Sequence, residues 1–563
     1  MKKILSILLT IGIAAAMLTS CRKEPVNASL KDVNSLGITT DMTNVDPTVF
    51  ITADSITLKQ NDSLKVKLKI SQSLGNAQNF SYQWMITQSV ASNANPAQYI
   101  VGTSAQLATV VKLPPNLYRL VAKVTDKSTG VSFFKFFQLN VFSSAWGNEG
   151  WVVLQEETSK GGDDISVITT RDGAVHGQVY NDVYSLMNNH KLPSGTYKVN
   201  VVEYPTTMRT QKVSFFYPNG GLQVRCYDFL DSVSYQNWSL VPPSGTNLQL
   251  NSSMGGSGSG YEFVINNNQI SFRDVNVSTI KTPPVFFGPP FLGTFTIAPF
   301  VIDGSSPDYY VTLYDQTNHC FFEINVSTPA LYPANPDVPN KHLAAYPTTA
   351  AAIAALNPTT GSGFDMNNMK YNLVYAENAQ PISTGNPYWN TFFRNNTNDT
   401  TYLVQFPRAL AYSNNFTGLT GTGARYFLTN ANCPGINVAT QFACATSLPM
   451  PGGVFYYVNG SNIYTTKVST LATSTANVGL SFPAGTIIKA MKVFNSGYVA
   501  LPATEGKVLV VATDETANGN GNNVYFFNLS TTGAINGSPA SPADLYTGFS
   551  TINDIAFKKA LGK

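Results

Sequence analysis

Charge is scarce in this chain of 563 residues: Asp, Glu, Lys and Arg together make up 12% of it. The formal net charge is +3, two of it from Lys2 and Lys3, and no basic stripe occurs. Binding to nucleic acid by counterion release needs a concentrated cationic face, so no nucleic-acid partner is expected. Histidine is scarcer still. His176, His190, His319 and His342 are the full set, and none forms an H-x-x-H or H-E-x-x-H pair, which excludes a helix-borne zinc centre. The five cysteines include no C-x-x-C, so a zinc ribbon and a thioredoxin-type redox site are also out. No G-x-S-x-G elbow and no G-x-x-x-x-G-K-[ST] phosphate loop is present. Neither a cofactor nor a metal is expected. Glycosidases escape this elimination, because their two carboxylates are brought together by the fold and need no fixed spacing.

Long apolar runs are nearly absent too. The one candidate, Ile4 to Leu18, is fifteen residues long, and a comfortable membrane span needs about 20. Preceded by Lys2-Lys3 and followed by small residues, it reads as a secretory signal over residues 1–20. Leu18-Thr19-Ser20-Cys21 resembles the bacterial lipobox, in which the cysteine is acylated and becomes the first residue of the mature chain. Cys21 is therefore the expected lipidation site, with a lipid bilayer as the partner of its acyl chains. Four cysteines remain: Cys226, Cys320, Cys433 and Cys444. An oxidising compartment allows pairing, and Cys433 with Cys444, which close a short loop, form the candidate disulfide. Residues 21–46 are polar and aperiodic and read as a flexible tether.

What the chain has in quantity is aromatics, at 12%, and turn formers between short apolar runs, the balance of an all-β protein. In Ser63 to Ile70, Leu64, Val66, Leu68 and Ile70 alternate with Lys65, Lys67 and Lys69, the pattern of a half-buried strand. "FSYQWMI", Phe80 to Ile86, places Trp84 where sandwich domains keep a core tryptophan, and Leu117–Thr125 with Val131–Val141 form a hairpin. Residues 47–145 are thus expected to be an immunoglobulin-like β-sandwich. From 146 to 563 seven hairpins recur, about 60 residues apiece. They begin at "WVVLQEE" with "DISVIT" and end at "VLVVATDE" with "VYFFNLS". "YNLVYAE" is read as pairing with "TTYLVQF". Asn219-Gly220 and Asn459-Gly460 supply the positive φ of tight turns. The final "INDIAF", Ile552 to Phe557, is placed to close a ring. A seven-bladed β-propeller is the expected architecture, with tandem sandwiches as the alternative. The one helical segment, Thr348 to Leu356, decorates rather than builds a core. "GGSGSG", Gly255 to Gly260, reads as a flexible connector.

Chemistry-bearing residues are few. Glu156-Glu157, Asp163-Asp164 and Asp172 near His176 are carboxylate groups, but neighbours on a strand point to opposite faces. A turn at Gly161-Gly162 aims Asp163 or Asp164 at a cation or substrate, or leaves both as solvated loop charges. The better ligand-binding candidates are aromatics among loop formers: Tyr388 and Trp389 in "GNPYWN", and Tyr235 and Trp238 in "YQNWSL". Such rings stack on sugars or hold peptide side chains. "TPPVFFGPPF", Thr282 to Phe291, is a stiff apolar loop, either a contact surface or a cap on the fold.

The "LTSC" lipobox, "FSYQWMI", "YRLVAKVTDKSTG" and "WGNEGWVVLQE" together resemble the PKD-like surface lipoproteins of Bacteroidota. The residue-level likeness lies in the first 160 positions. The resemblance implies an anchored outer-membrane protein facing the cell exterior, partnered by a TonB-dependent importer and its lid lipoprotein of the starch-utilisation type. It implies non-catalytic capture of oligopeptide or glycan for uptake, and assigns no ligand residues. The alternatives are a glycan-active hydrolase or lyase, and a structural or adhesive subunit.

Overall fold

A computed structural model describes residues 34–42, 49–52, 54–74, 79–88 and 99–142 in a first compact unit. In a second unit it describes 143–170, 177–203, 211–239, 245–256, 259–275, 286–291, 295–303, 310–325, 368–379, 388–395, 397, 400–407, 424–445, 454–467, 474–496 and 502–560. The signal sequence, Cys21, Asp172, His176 and the helix expected at Thr348 lie outside the described residues, as does the side chain of Tyr388. Among the described residues no helix is long and apolar enough to cross a membrane.

The first unit is two sheets. One orders Leu36–Thr40, Ser63–Gln72 and Gln106–Val110; the other orders Phe50–Ile51, Ser55–Lys59, Ser132–Phe142, Asn116–Asp126, Phe80–Gln88 and Tyr99–Gly102. Period-two alternation sends Leu64, Val66 and Leu107 of the first sheet onto Ile56, Trp84, Leu120, Val124 and Phe137 of the second. Trp84 is fully buried, stacks on Phe137 at 6.3 Å and donates its Nε1–H to the Ser104 carbonyl at 2.9 Å. Tyr118 donates its hydroxyl to the carbonyl of Pro114 at 2.8 Å, a short tie of the kind that pins corners in sandwich domains. The tether expected to run to Asp46 is interrupted here. Leu36–Thr40 pairs antiparallel with Ser63–Gln72, because Leu36 and Ile38 reach the same core; five residues are too few to read as periodic in sequence.

The second unit contains seven sheets among its described residues, one for each hairpin read from the sequence. In chain order they are led by Lys198–Glu203, Leu248–Gly256, Ile302–Asp303, Asn372–Ala379, Phe442–Ala445 and Ile487–Val493, taken as sheets 2 to 7. Sheet 1 is led by the C-terminal strand Thr551–Lys558, which pairs antiparallel with Gly150–Glu156. The last strand of the chain therefore completes the first sheet. Seven apolar clusters join successive sheets, and sheet 1 shows how. Val152 and Leu154 pack with Val199, Phe215 and Val224 of sheet 2, while Trp151 and Val153, on the opposite face, pack with Val510 and Phe526 of sheet 7. Further clusters join 2 to 3, 3 to 4, 4 to 5, 5 to 6 and 6 to 7. A strand covered on both faces needs apolar residues at every position, which is why "WVVL" does not alternate.

Three local readings change. "YNLVYAE" and "TTYLVQF" are not partners: Tyr388–Arg394 lies between them and pairs with both. "GGSGSG" is a hairpin end, with Gly255 opposite Gly260 and Gly256 opposite Ser259. The two Asn-Gly turns differ in register, since Tyr217 faces Gly220 whereas Asn459 faces Asn462. The positive φ accordingly falls on Asn219 in one and on Gly460 in the other.

Candidate functional site

The leading strands of the second unit lie side by side. That of sheet 2 adjoins those of sheets 1 and 3, that of sheet 7 adjoins those of 6 and 1, and that of 5 adjoins that of 6. Together they line a cavity of about 600 Å³. Every sheet contributes: Asp554 and Ala556 from sheet 1, Lys198 and Asn200 from sheet 2, Leu250 from sheet 3, and Pro299 and Phe300 from the lead into sheet 4. Tyr375 and Glu377 come from sheet 5, Gln441 and Phe442 from sheet 6, and Lys489, Met491 and Lys492 from sheet 7. The volume falls within the usual range for small-ligand sites, roughly 300–1,000 Å³.

Several leading strands carry a β-bulge. The register with the second strand slips at Gln249, Val374, Lys489 and Asn553, each an extra residue on the leading strand. A bulge bends its strand and re-aims side chains, and Lys489 is the extra residue that lines the cavity.

The two acids among the described lining residues are occupied by main chain. Asp554 accepts the Val199 N–H at 3.1 Å and the Ile555 N–H at 2.8 Å, with Lys492 Nζ at 3.6 Å. Glu377 accepts the Cys444 N–H at 2.8 Å and the Tyr375 hydroxyl at 2.9 Å. Each acid thus caps an edge amide on the next leading strand. Burial pushes the Glu377 carboxyl up to about 7, against the hydrogen bonds from Tyr375 and Cys444 that favour its charge. Lys198 donates to the Gln249 carbonyl at 2.6 Å, and burial lowers its pKa from the usual lysine value. Gln441 donates to the carbonyls of Ile488 and Lys489 at 2.8 and 3.2 Å; its own Oε1 and Asn200 Nδ2 are buried and have no hydrogen-bond partner among the described residues. Among the described lining residues three lysines stand against two acids.

The aromatic candidates lie elsewhere. Trp238 is fully buried between sheets 2 and 3, edge-on to Tyr235 at 5.4 Å, and donates its Nε1–H to Val233. Tyr235 is buried beside it, and Trp389 is buried between sheets 4 and 5. These three rings sit in cores; of the apolar loop, Phe287 packs on Trp238, and Phe291 stacks on Phe272 at 5.6 Å. Cys226, Cys320, Cys433 and Cys444 are buried, and no disulfide joins any of them among the described residues. The expected Cys433–Cys444 bond is not formed, because each sulfur has other neighbours. Cys433 Sγ lies 3.6 Å from the Ser474 carbonyl, and Cys444 faces Glu377 and Asn390.

Asp163 and Asp164 are fully buried and neither solvated nor aimed at a cleft. Asp163 accepts the N–H groups of Glu157 and Thr196 at 3.1 and 2.7 Å. Asp164 accepts those of Tyr184 and Ser185 in the first turn of the helix Val183–Asn188. Glu157, Asp164 and Asp182 converge as metal ligands would, but Lys191 Nζ stands among them at 2.5, 3.3 and 3.9 Å. The ammonium supplies the charge there. Burial opposes ionisation of Glu157, yet hydrogen bonds from Lys160, Lys191 and Ser550 prevail and hold it at about 2.

Lys198, Glu377, Lys489, Lys492 and Asp554 went unread in the sequence. A signal was present: each is a charge inside a short apolar strand, as in "YKVNVV", "IIKAMKV" and "INDIAF". Their convergence depends on strands up to 356 positions apart, and no local pattern reports it.

The sequence pattern of the PKD-like family matches residues 27–195, the first unit and the opening of the second. Among curated proteins none matches the chain. Among solved structures it is similar to a quinonprotein alcohol dehydrogenase-like protein from Bacteroides thetaiotaomicron VPI-5482. Identity there is 12%, covering 92% of this chain and 99% of that one, with a TM-score of 0.41. It is also similar to PorZ of Porphyromonas gingivalis, described as a surface component of the type-IX secretion system. Identity is 10%, covering 86% of this chain and 63% of that one, with a TM-score of 0.25. Neither likeness bears on function.

Proposed function

We propose that residues 143–563 form a seven-bladed β-propeller whose central cavity binds a small nutrient ligand, oligopeptide or glycan, without chemical conversion. The observation that carries this reading is the cavity to which all seven sheets contribute. Cyclic packing of the sheets, with the C-terminal strand completing the first, supports the propeller. Binding is favoured over hydrolysis or lysis because both carboxylates at the cavity already hold main-chain N–H groups. The chain is anchored through acylated Cys21 to the outer membrane, facing the exterior, and passes its ligand to a TonB-dependent importer with its lid lipoprotein. The lipobox and the PKD-like match support that part.

Calorimetry against oligosaccharide and oligopeptide panels tests the binding role. Thr440 is an exposed lining residue, so Thr440→Trp fills the cavity at little cost to the fold and should abolish binding. Silence on both panels, or binding untouched by Thr440→Trp, refutes the reading. Radiolabelled palmitate incorporation, lost in Cys21→Ala, tests the anchor.

A further inference from the structure

The cavity has a marked asymmetry between its acids and its bases. Asp554 and Glu377 turn oxygens toward main-chain N–H groups of adjoining strands, so their charge is directed into the scaffold. The lysines are held less tightly. Lys198 donates to one carbonyl and keeps two further donors. Lys492 stands 3.6 Å from Asp554, beyond hydrogen-bond distance, and is 41% exposed at its side chain. Lys489, brought into the lining by its bulge, has no hydrogen bond or ion pair at its ammonium among the described residues and acts only through space on Asp514 of the neighbouring strand. A cleft lined by one sign of charge and walled by protein concentrates the field on whatever enters.

Two other features narrow the ligand. Asn200 and Gln441 place neutral polar side chains in the lining, a chemistry that suits hydroxyl groups. Phe300 and Tyr375, edge to face at 5.9 Å and both partly exposed, give the wall an aromatic surface for C–H faces. A peptide would supply mainly amides and side chains; an acidic sugar supplies hydroxyls, C–H faces and carboxylates together. Resting on the propeller-cavity reading above, we infer that the cavity is an anion receptor and that its ligand is a carboxylate-bearing oligosaccharide. Lys489 and Lys492 hold the carboxylates by charge-assisted hydrogen bonds, with Lys198 behind them.

The test titrates the full chain with trigalacturonate, with neutral α-1,4-linked trigalactose and with triglutamate. Trigalacturonate should bind at least ~10-fold tighter than trigalactose, and its affinity should fall as salt is added. Lys489→Met and Lys492→Met should each weaken trigalacturonate ~10-fold and leave trigalactose within about twofold, with thermal melts confirming that both variants fold. Equal binding of the acidic and neutral sugars, or indifference to both lysine variants, overturns the anion inference. If trigalactose still binds in that case and Thr440→Trp abolishes it, the cavity reading survives alone. Preference for triglutamate over trigalacturonate overturns the assignment to a glycan. Absence of binding by all three probes overturns the inference, while the broader panels decide the cavity reading.

Discussion

Glu377→Gln isolates the cost of placing an ionisable acid at the cavity wall. Burial raises the Glu377 carboxyl from 4.5 to about 7, so between those pH values the folded chain keeps a proton that the unfolded chain has released. Stability therefore falls as pH rises from about 4.5 to about 7 and is level above that. At 1.36 kcal/mol per pH unit, a difference of about 2.5 units removes ~3 kcal/mol by pH 8. Glutamine keeps an acceptor for the Cys444 N–H and the Tyr375 hydroxyl but cannot ionise. The variant should exceed the wild type by no more than about 1 kcal/mol at pH 5 and by up to ~3 kcal/mol at pH 8. With an unfolding entropy of ~2.1 cal/mol/K per residue over residues 143–563, that is a rise of about 3 °C in the second unit's melting temperature. Differential scanning calorimetry at both pH values reads it, and the difference between variant and wild type cancels other titrating groups. A gap of equal size at pH 5 and pH 8, or a variant less stable at pH 8, would refute the reasoning. The same proton bears on binding. Deprotonated Glu377 adds negative charge beside Lys492, so trigalacturonate affinity should decline above pH 7 in the wild type more than in Glu377→Gln.

Lys191→Met leaves Asp164 as a buried carboxylate without its cation and Glu157 with Lys160 alone, and should cost about 3 kcal/mol, read as a lower denaturant midpoint. Glu157, held at about 2, contributes stability that is whole above pH 4.5 and lost as pH falls toward 2; Glu157→Gln should remove that acid-limb loss in a pH series of melts. Truncation after Ser550 deletes the leading strand of sheet 1, strips Ile552 and Ile555 from the core shared with sheet 7, and should abolish the second unit's cooperative transition in calorimetry. Thiol titration in denaturant without reductant should count Cys226, Cys320, Cys433 and Cys444 all as free; a count lower by two would restore the Cys433–Cys444 bond.

Hairpins were the legible part of this chain because their signals are local. Alternation in "SLKVKLKI" and turn residues such as Asn219 and Gly460 report on neighbours a few positions away. Two kinds of feature were not legible. Leu36–Thr40 is short and its partner lies some 30 residues on, so nothing nearby marks it as a strand. The tryptophans misled for a different reason. Trp238 and Trp389 lie among loop formers in sequence, but the packing of one sheet on the next buries them, and a ring used as core offers no face to a ligand.

The cavity residues illustrate what the sheet-on-sheet arrangement demands of its leading strands. A second strand such as Gly150–Glu156 is covered on both faces and becomes uniformly apolar. A leading strand has an edge that no further strand covers, and its unpaired N–H groups take side chains or water as partners. Asp554 partners Val199 and Glu377 partners Cys444, so both acids serve the scaffold. Acids alone would make the cavity negative. Lysines at 198, 489 and 492 more than offset them, and one of the three is placed by a bulge that breaks the ladder. Neutralising two acids that are already engaged does not call for a surplus of ammonium groups. That surplus, more than the cavity's size, is what points to an anionic guest.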